Sequence, residues 1–230
     1  MSSTQRVEVG KKATPKRTSA REQRRKRWDT LTDWARAKGA IILSPFAQFA
    51  GRLGIHPNTV TLFGMLLQVG IGVLFGFGYL KLGGLLLLIV SPVDALDGLL
   101  ARTLGKQSRF GAFLDSTFDR LSDASLILGL AAYDMWQGDF LSVALLLIAL
   151  VASMMVSYVR ARAEALGFSC KGGLLTRMER IVLIGVLSAV GLHIPLVWAL
   201  AVLSAFTMVQ RIVCIYGVHL REDEKPDQSA

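Results

Sequence analysis

Four aspartates stand at helical spacing inside two apolar stretches: Asp94 and Asp97 in one, Asp115 and Asp119 in the next. An ionised carboxylate at the centre of a bilayer costs about 2.5–3.5 kcal/mol or more, so such residues mark function. Asp94, Asp97, Gly98 and Ala101 follow i, i+3, i+4, i+7, and Gly111, Asp115 and Asp119 follow i, i+4, i+8. Each set falls on one helix face. Asp123 is left off the second stripe. With no His or Cys nearby, the four carboxylates form a hard, all-oxygen set that suits Mg²⁺ or Mn²⁺ and not zinc or copper. Two such ions would neutralise the cluster and leave positions for phosphate oxygens, the arrangement of two-metal phosphoryl chemistry. The small side chains at Gly98, Ala101 and Gly111 leave room for a ligand, or simply let helices pack closely.

The elements that must hold this set are apolar helices. Of 230 residues, 52% are hydrophobic and only 19% charged, against roughly 25% charged in soluble domains. A span needs about 20 apolar residues. Apolar segments at about 58–80, 83–104, 109–133, 140–162, 178–192 and 195–217 predict six spans. Lys and Arg are retained on the cytoplasmic side. With the N-terminus inside, the outer loops hold Lys81 alone. The inner loops hold Arg102, Lys106 and Arg109, then Arg160, Arg162, Lys171, Arg177 and Arg180; Arg211, Arg221 and Lys225 end the chain inside. The short loop between spans 2 and 3 makes them antiparallel neighbours and gathers all four carboxylates near the cytoplasmic surface.

The formal net charge is +9, and residues 1–27 supply ten Lys/Arg against Glu8 and Glu22. This segment reads as a disordered basic cytoplasmic tail, either adhering to anionic headgroups or acting as a retention signal. No nucleic-acid motif accompanies it, so no nucleic-acid partner is expected. It does not have the form of a cleavable signal peptide. Residues 28–56 read as an interfacial amphipathic helix, with Trp28, Trp34, Phe46 and Phe49 suited to the headgroup boundary. Residues 57–220 form the transmembrane domain and 221–230 a cytoplasmic tail. The expected fold is an all-α integral membrane protein, six transmembrane helices preceded by that juxtamembrane helix. Cys170 and Cys214 are far apart in sequence and imply no disulfide or zinc framework.

The run Asp94-x2-Asp97-Gly98-x2-Ala101-Arg102-x8-Gly111-x3-Asp115-x3-Asp119 resembles the complete signature of the CDP-alcohol phosphotransferase family. The resemblance extends over roughly residues 45–220. It implies membrane enzymes that transfer a phosphoalcohol group from a CDP-linked lipid, such as CDP-diacylglycerol, to an acceptor hydroxyl with release of CMP. It also implies a homodimer among membrane lipids. By resemblance, Asp94, Asp97, Asp115 and Asp119 bind two Mg²⁺ or Mn²⁺ ions, and Asp119 also serves as general base. Gly98, Ala101, Arg102 and Gly111 line the nucleotide site. Asn58 and Thr61, in Pro57-Asn58-x2-Thr61, resemble a family feature near the nucleotide and equally read as a helix cap.

The acceptor is read from the loop between spans 4 and 5. Arg captures phosphate through paired donors, and Arg160, Arg177 and Arg180 lie inside or beside apolar spans. The stretch from Ser157 to Glu164, and Arg177-Met178-Glu179-Arg180, resemble the phosphatidylinositol-phosphate synthase branch. By that resemblance Arg160, Arg180 and Arg211 hold the phosphate of inositol phosphate. Thr176 and Met178 stand where the branch usually has Glu and Pro, which keeps a phosphatidylglycerophosphate synthase using glycerol 3-phosphate as the alternative. A cation transporter is the rival from another class. It would spread acidic residues through the membrane depth, whereas here they cluster at the inner side. The expected location is the plasma (inner) membrane, with both termini and the active site at the cytoplasmic face.

Overall fold

The computed structural model describes residues 57–91, 108–168 and 173–223. The basic tail, the interfacial helix, and Asp94, Asp97, Gly98, Ala101 and Arg102 lie outside the described residues. The rest are helical: α1 (Pro57–Gly76), α2 (Leu80–Val90), α3 (Arg109–Gln137), α4 (Phe140–Ala165), α5 (Arg177–Val190) and α6 (His193–Asp223).

Local chemistry sets these ends. Pro57 opens α1 at a position where its missing N–H costs nothing. Gly138, at φ 76°, closes α3 in the left-handed conformation that glycine enters without strain. Asp139 then caps α4, accepting from the Ser142 hydroxyl and the Ser142 N–H. Those two bonds hold the Asp139 carboxyl below the usual carboxylate range. Helices α3 and α4 run past the expected boundaries of 133 and 162, so Asp134 falls in the last turn of a helix and not in a loop. Helix α6 likewise begins at His193 and continues to Asp223.

Helices α1, α4 and α6 contain stretches long and apolar enough to cross a membrane: Asn58–Gly76, Phe140–Ala165 and His193–Leu220. Helix α3 has the length, but Asp115, Asp119, Arg120 and Asp123 break its apolar character. Helix α5 has 14 residues, too few to span unaided.

Helix α1 packs on α3, α4 on α6, and α2 on α5. A Cβ on Gly111 would sit 3.1 Å from Asn58 Oδ1, and Gly76 faces Ala132. Helices α1 and α3 therefore run parallel, with their first turns together. Val156 and Arg211 meet, as do Ser153 and Ser204, so α4 and α6 are also parallel. Such pairing follows when successive helices alternate in direction. One end of the bundle thus gathers the starts of α1, α3 and α5 with the ends of α4 and α6.

At the opposite end His193 Nε2 lies 2.5 Å from Asp134 Oδ1, joining α3 to α6. Phe77, Tyr79, Trp136 and Phe140 are exposed there, as aromatic side chains at a membrane boundary are. The core between the ends is Phe75, Leu87, Leu126, Leu130, Leu146, Ile184, Leu196 and Leu200, all 0–1% exposed. Between helices that already sit in lipid, shape complementarity replaces the hydrophobic drive. Gly84 and Gly185 accordingly let α2 approach α5 closely.

Candidate active site

The site is built at the end where α1, α3 and α5 begin. Ser108 caps α3, its Oγ accepting the Gly111 N–H at 2.9 Å. A Cβ at Gly111 would stand 3.0 Å from Ser108 Oγ and 3.1 Å from Asn58 Oδ1. The structure thus brings two of the expected nucleotide residues, Asn58 and Gly111, side by side, and Thr61 follows one turn along α1. Removing the cap with Ser108→Ala should cost about 1 kcal/mol. The expected outcome is a melting point lower by about 2–4 °C, with Ser108→Asp close to wild type.

The acidic row descends α3 from solvent into the bundle. Asp115 is exposed, the Asp119 side chain is 30% exposed, and the Asp123 side chain is 5% exposed. Asp123 belongs to this row: it continues the four-residue step of Gly111, Asp115 and Asp119. Two arginines one turn apart on α5 meet the deeper pair. Arg177 Nη1 lies 2.9 Å from Asp119 Oδ1 and its Nε lies 3.6 Å from Asp123 Oδ1. Arg180 Nη2 donates to Asp123 Oδ2. Thr176 precedes α5 in an extended conformation, and its hydroxyl donates to Glu179.

Arg180 is 1% exposed and Arg211 7% exposed. Arg211 Nη1 donates to the Val156 carbonyl at 2.8 Å. Arg180 Nε and Nη1, and Arg211 Nε, are buried without hydrogen-bond partners among the described residues. Arg211 feels the charges of both Arg160 and Arg180. Arg160 itself lies on an exposed face, paired with Glu164 at 2.9 Å. The segment after residue 172 is tied down on α6: Leu174 N–H donates to Gln210 and Leu175 N–H to Thr207. Gly173 lies against the Arg211 guanidinium, where a Cβ would stand 3.1 Å from Nε.

This return of the loop onto α6 also explains a departure from expectation. Cys214 is disulfide-bonded. Distance along the chain did not anticipate this, because the loop packs on α6 one turn before Cys214.

The all-oxygen donors fit a divalent cation. Asp115 and Asp119 stand one turn apart at the open end of the row, where a small hard ion keeps water or substrate oxygens among its ligands. Among the described residues no three potential ligands gather in metal-binding geometry. Asp94 and Asp97 lie outside that set.

A helical membrane bundle with a carboxylate row facing buried arginines defines an integral membrane enzyme acting on phosphorylated groups. The chain belongs to the CDP-alcohol phosphatidyltransferase family, whose profile matches residues 54–216, and it is a transferase. It is 42% identical over 184 residues to a phosphatidylinositol phosphate synthase of Mycobacteroides abscessus, covering 75% of this chain and 83% of that one. It is 39% identical over 173 residues to an archaetidylinositol phosphate synthase of Methanothermobacter thermautotrophicus, covering 73% and 86%. The fold matches the crystal structure of Mycobacterium tuberculosis phosphatidylinositol phosphate synthase with CDP-DAG bound. That match has a TM-score of 0.71 at 35% identity over 76% of this chain and 94% of that one. The same enzyme has been solved in complex with manganese and citrate, a match that covers 76% of this chain and 88% of that one.

Proposed function

We propose that this enzyme transfers the phosphatidyl group of CDP-diacylglycerol to the hydroxyl of inositol phosphate and releases CMP. The observation that carries the choice of acceptor is the buried pair Arg180 and Arg211, with N–H donors lacking partners among the described residues. Buried guanidinium donors without partners among the described residues call for a hydrogen-bond acceptor, and guanidinium forks match phosphate oxygens. An acceptor with its own phosphate satisfies them. The relatives named for inositol phosphate lipids support the same choice.

Asp94, Asp97, Asp115 and Asp119 would hold two Mg²⁺ or Mn²⁺ ions, which when bound polarise the diphosphate and stabilise the leaving CMP. The manganese complex of the Mycobacterium tuberculosis enzyme supports this. Asn58, Thr61, Gly98, Ala101, Arg102 and Gly111 hold the nucleotide. Asp119 takes the proton from the acceptor hydroxyl. The hydroxyl oxygen bonds to the phosphatidyl phosphorus as the bond from phosphorus to the CMP oxygen breaks. Arg177, 2.9 Å from Asp119, orients that carboxylate.

The reading includes six spans with both termini and the active site at the cytoplasmic face, and a homodimer. The basic tail (1–27) and interfacial helix (28–56) precede the catalytic domain (57–220) and the C-terminal tail (221–230). The placement of Lys and Arg in alternate loops supports the orientation, and the parallel pairs α1/α3 and α4/α6 support alternating spans.

The test is CMP release by purified protein with CDP-diacylglycerol and Mg²⁺ or Mn²⁺. Inositol phosphate, glycerol 3-phosphate, free inositol and no acceptor are run in parallel. Turnover with inositol phosphate alone is expected. Turnover with glycerol 3-phosphate alone would replace the acceptor, and turnover with free inositol alone would remove the arginines from their role.

A further inference from the structure

The deepest carboxylate of the row has a position unlike the others. Asp115 is exposed and the Asp119 side chain is 30% exposed, whereas the Asp123 side chain is 5% exposed and meets α5 through two guanidiniums. Both of its carboxylate oxygens face guanidiniums, so it acts through those side chains.

A guanidinium is planar and carries five N–H donors in a fixed fork, so holding one terminal nitrogen orients the others. Asp123 Oδ2 holds Arg180 at Nη2, and Asp123 Oδ1 faces Arg177 Nε at 3.6 Å. Arg180 retains Nε and Nη1, buried and without hydrogen-bond partners among the described residues. Arg177 retains Nη1 for Asp119. Asp123 therefore orients Arg180 directly, in the acceptor cluster, and stands beside Arg177.

We propose that Asp123 is a positioning residue for the acceptor subsite. It fixes the plane of Arg180 so that Nε and Nη1 are left for the acceptor's phosphate oxygens. The inference rests on the reading of Arg180 as a phosphate ligand. It assigns Asp123 to recognition of the acceptor and not of the CDP-linked donor.

Asp123→Asn keeps the shape and one acceptor oxygen but removes the charge and half of the accepting capacity. The experiment uses the full chain in detergent and measures CMP release against inositol phosphate and against CDP-diacylglycerol separately. The expected result is an acceptor KM raised by about tenfold or more, with the CDP-diacylglycerol KM within about twofold of wild type. A merely structural carboxylate would raise both KM values together or lower kcat alone, and either result overturns the proposal. A second readout needs no turnover: inorganic phosphate should raise the melting point of the wild type, and Asp123→Asn should lose most of that rise. If Asp123→Asn gives no cooperative melt, Asp123→Glu takes its place and should show the same KM split in weaker form. A wild type that neither uses a phosphorylated acceptor nor responds to phosphate defeats the reading of Arg180, and this inference with it. A wild type that does both, beside an Asp123→Asn variant with an unchanged acceptor KM, defeats only the role of Asp123.

Discussion

Asp119→Asn is expected to lower CMP release by roughly a thousandfold or more while leaving the protein folded. A positioned general base contributes about 10²–10⁴ in rate, and loss of a carboxylate that also holds a metal adds to this. Folding is spared because the Asp119 side chain is 30% exposed and its partner Arg177 21% exposed. A partly exposed ion pair of this kind contributes on the order of 1 kcal/mol. The melting point should therefore move by no more than about 2–4 °C. Side-by-side measurement of CMP release and thermal unfolding in the same detergent separates the two effects. A rate within tenfold of wild type would remove Asp119 as the base. The contrast with Asp123→Asn, one turn deeper, is informative: the first variant should fail mainly in kcat, the second mainly in acceptor KM.

These two aspartates also mark how far the sequence could be read. Asp115 and Asp119 were legible because a charge in an apolar stretch is costly and their spacing puts them on one face. Asp123 follows the same four-residue step, so leaving it off the stripe is an error of register, and spacing alone does not show what it faces. Its meaning comes from α5, whose Arg177 and Arg180 lie more than fifty residues away in the chain. The cluster of Arg160, Arg180 and Arg211 was legible through its resemblance to a known branch. That two of its members are buried, with donors unpartnered among the described residues, is a property of packing. The existence of the described helices was legible from hydropathy, whereas their ends were not. Gly138 and Asp139 end α3 and start α4 by local turn chemistry, which hydropathy does not register. The parallel approach of Asn58 to Gly111 depends on two glycines further along α1 and α3, which nothing in the sequence pattern singles out.

Those glycines yield the second large expected effect. Gly72 and Gly129 bring α1 and α3 together backbone to backbone. A Cβ built on Gly129 falls inside contact distance of the Gly72 carbonyl, and one on Gly72 collides with the Ser125 carbonyl. In an unobstructed helix a Gly→Ala change stabilises by about 0.5–1 kcal/mol, because the unfolded chain loses freedom. Gly70→Ala, on the same helix α1 with nothing within 4 Å of the new Cβ among the described residues, should show that gain. Gly129→Ala should do the opposite. The obstruction is backbone, which cannot change rotamer, so the helices must part. Overpacking of this kind costs about 1–3 kcal/mol, occasionally more. The melting point should fall by about 4–10 °C. Function should suffer further than stability. Helix α1 carries Asn58 and Thr61, and α3 carries Gly111, Asp115 and Asp119, so a shift between them moves the nucleotide residues relative to the carboxylates. A displacement of about 1 Å can cost about a hundredfold in rate. Thermal unfolding and CMP release on the two alanine variants check this directly. Equal melting points for Gly70→Ala and Gly129→Ala would show that the α1–α3 contact does not set the geometry of the site.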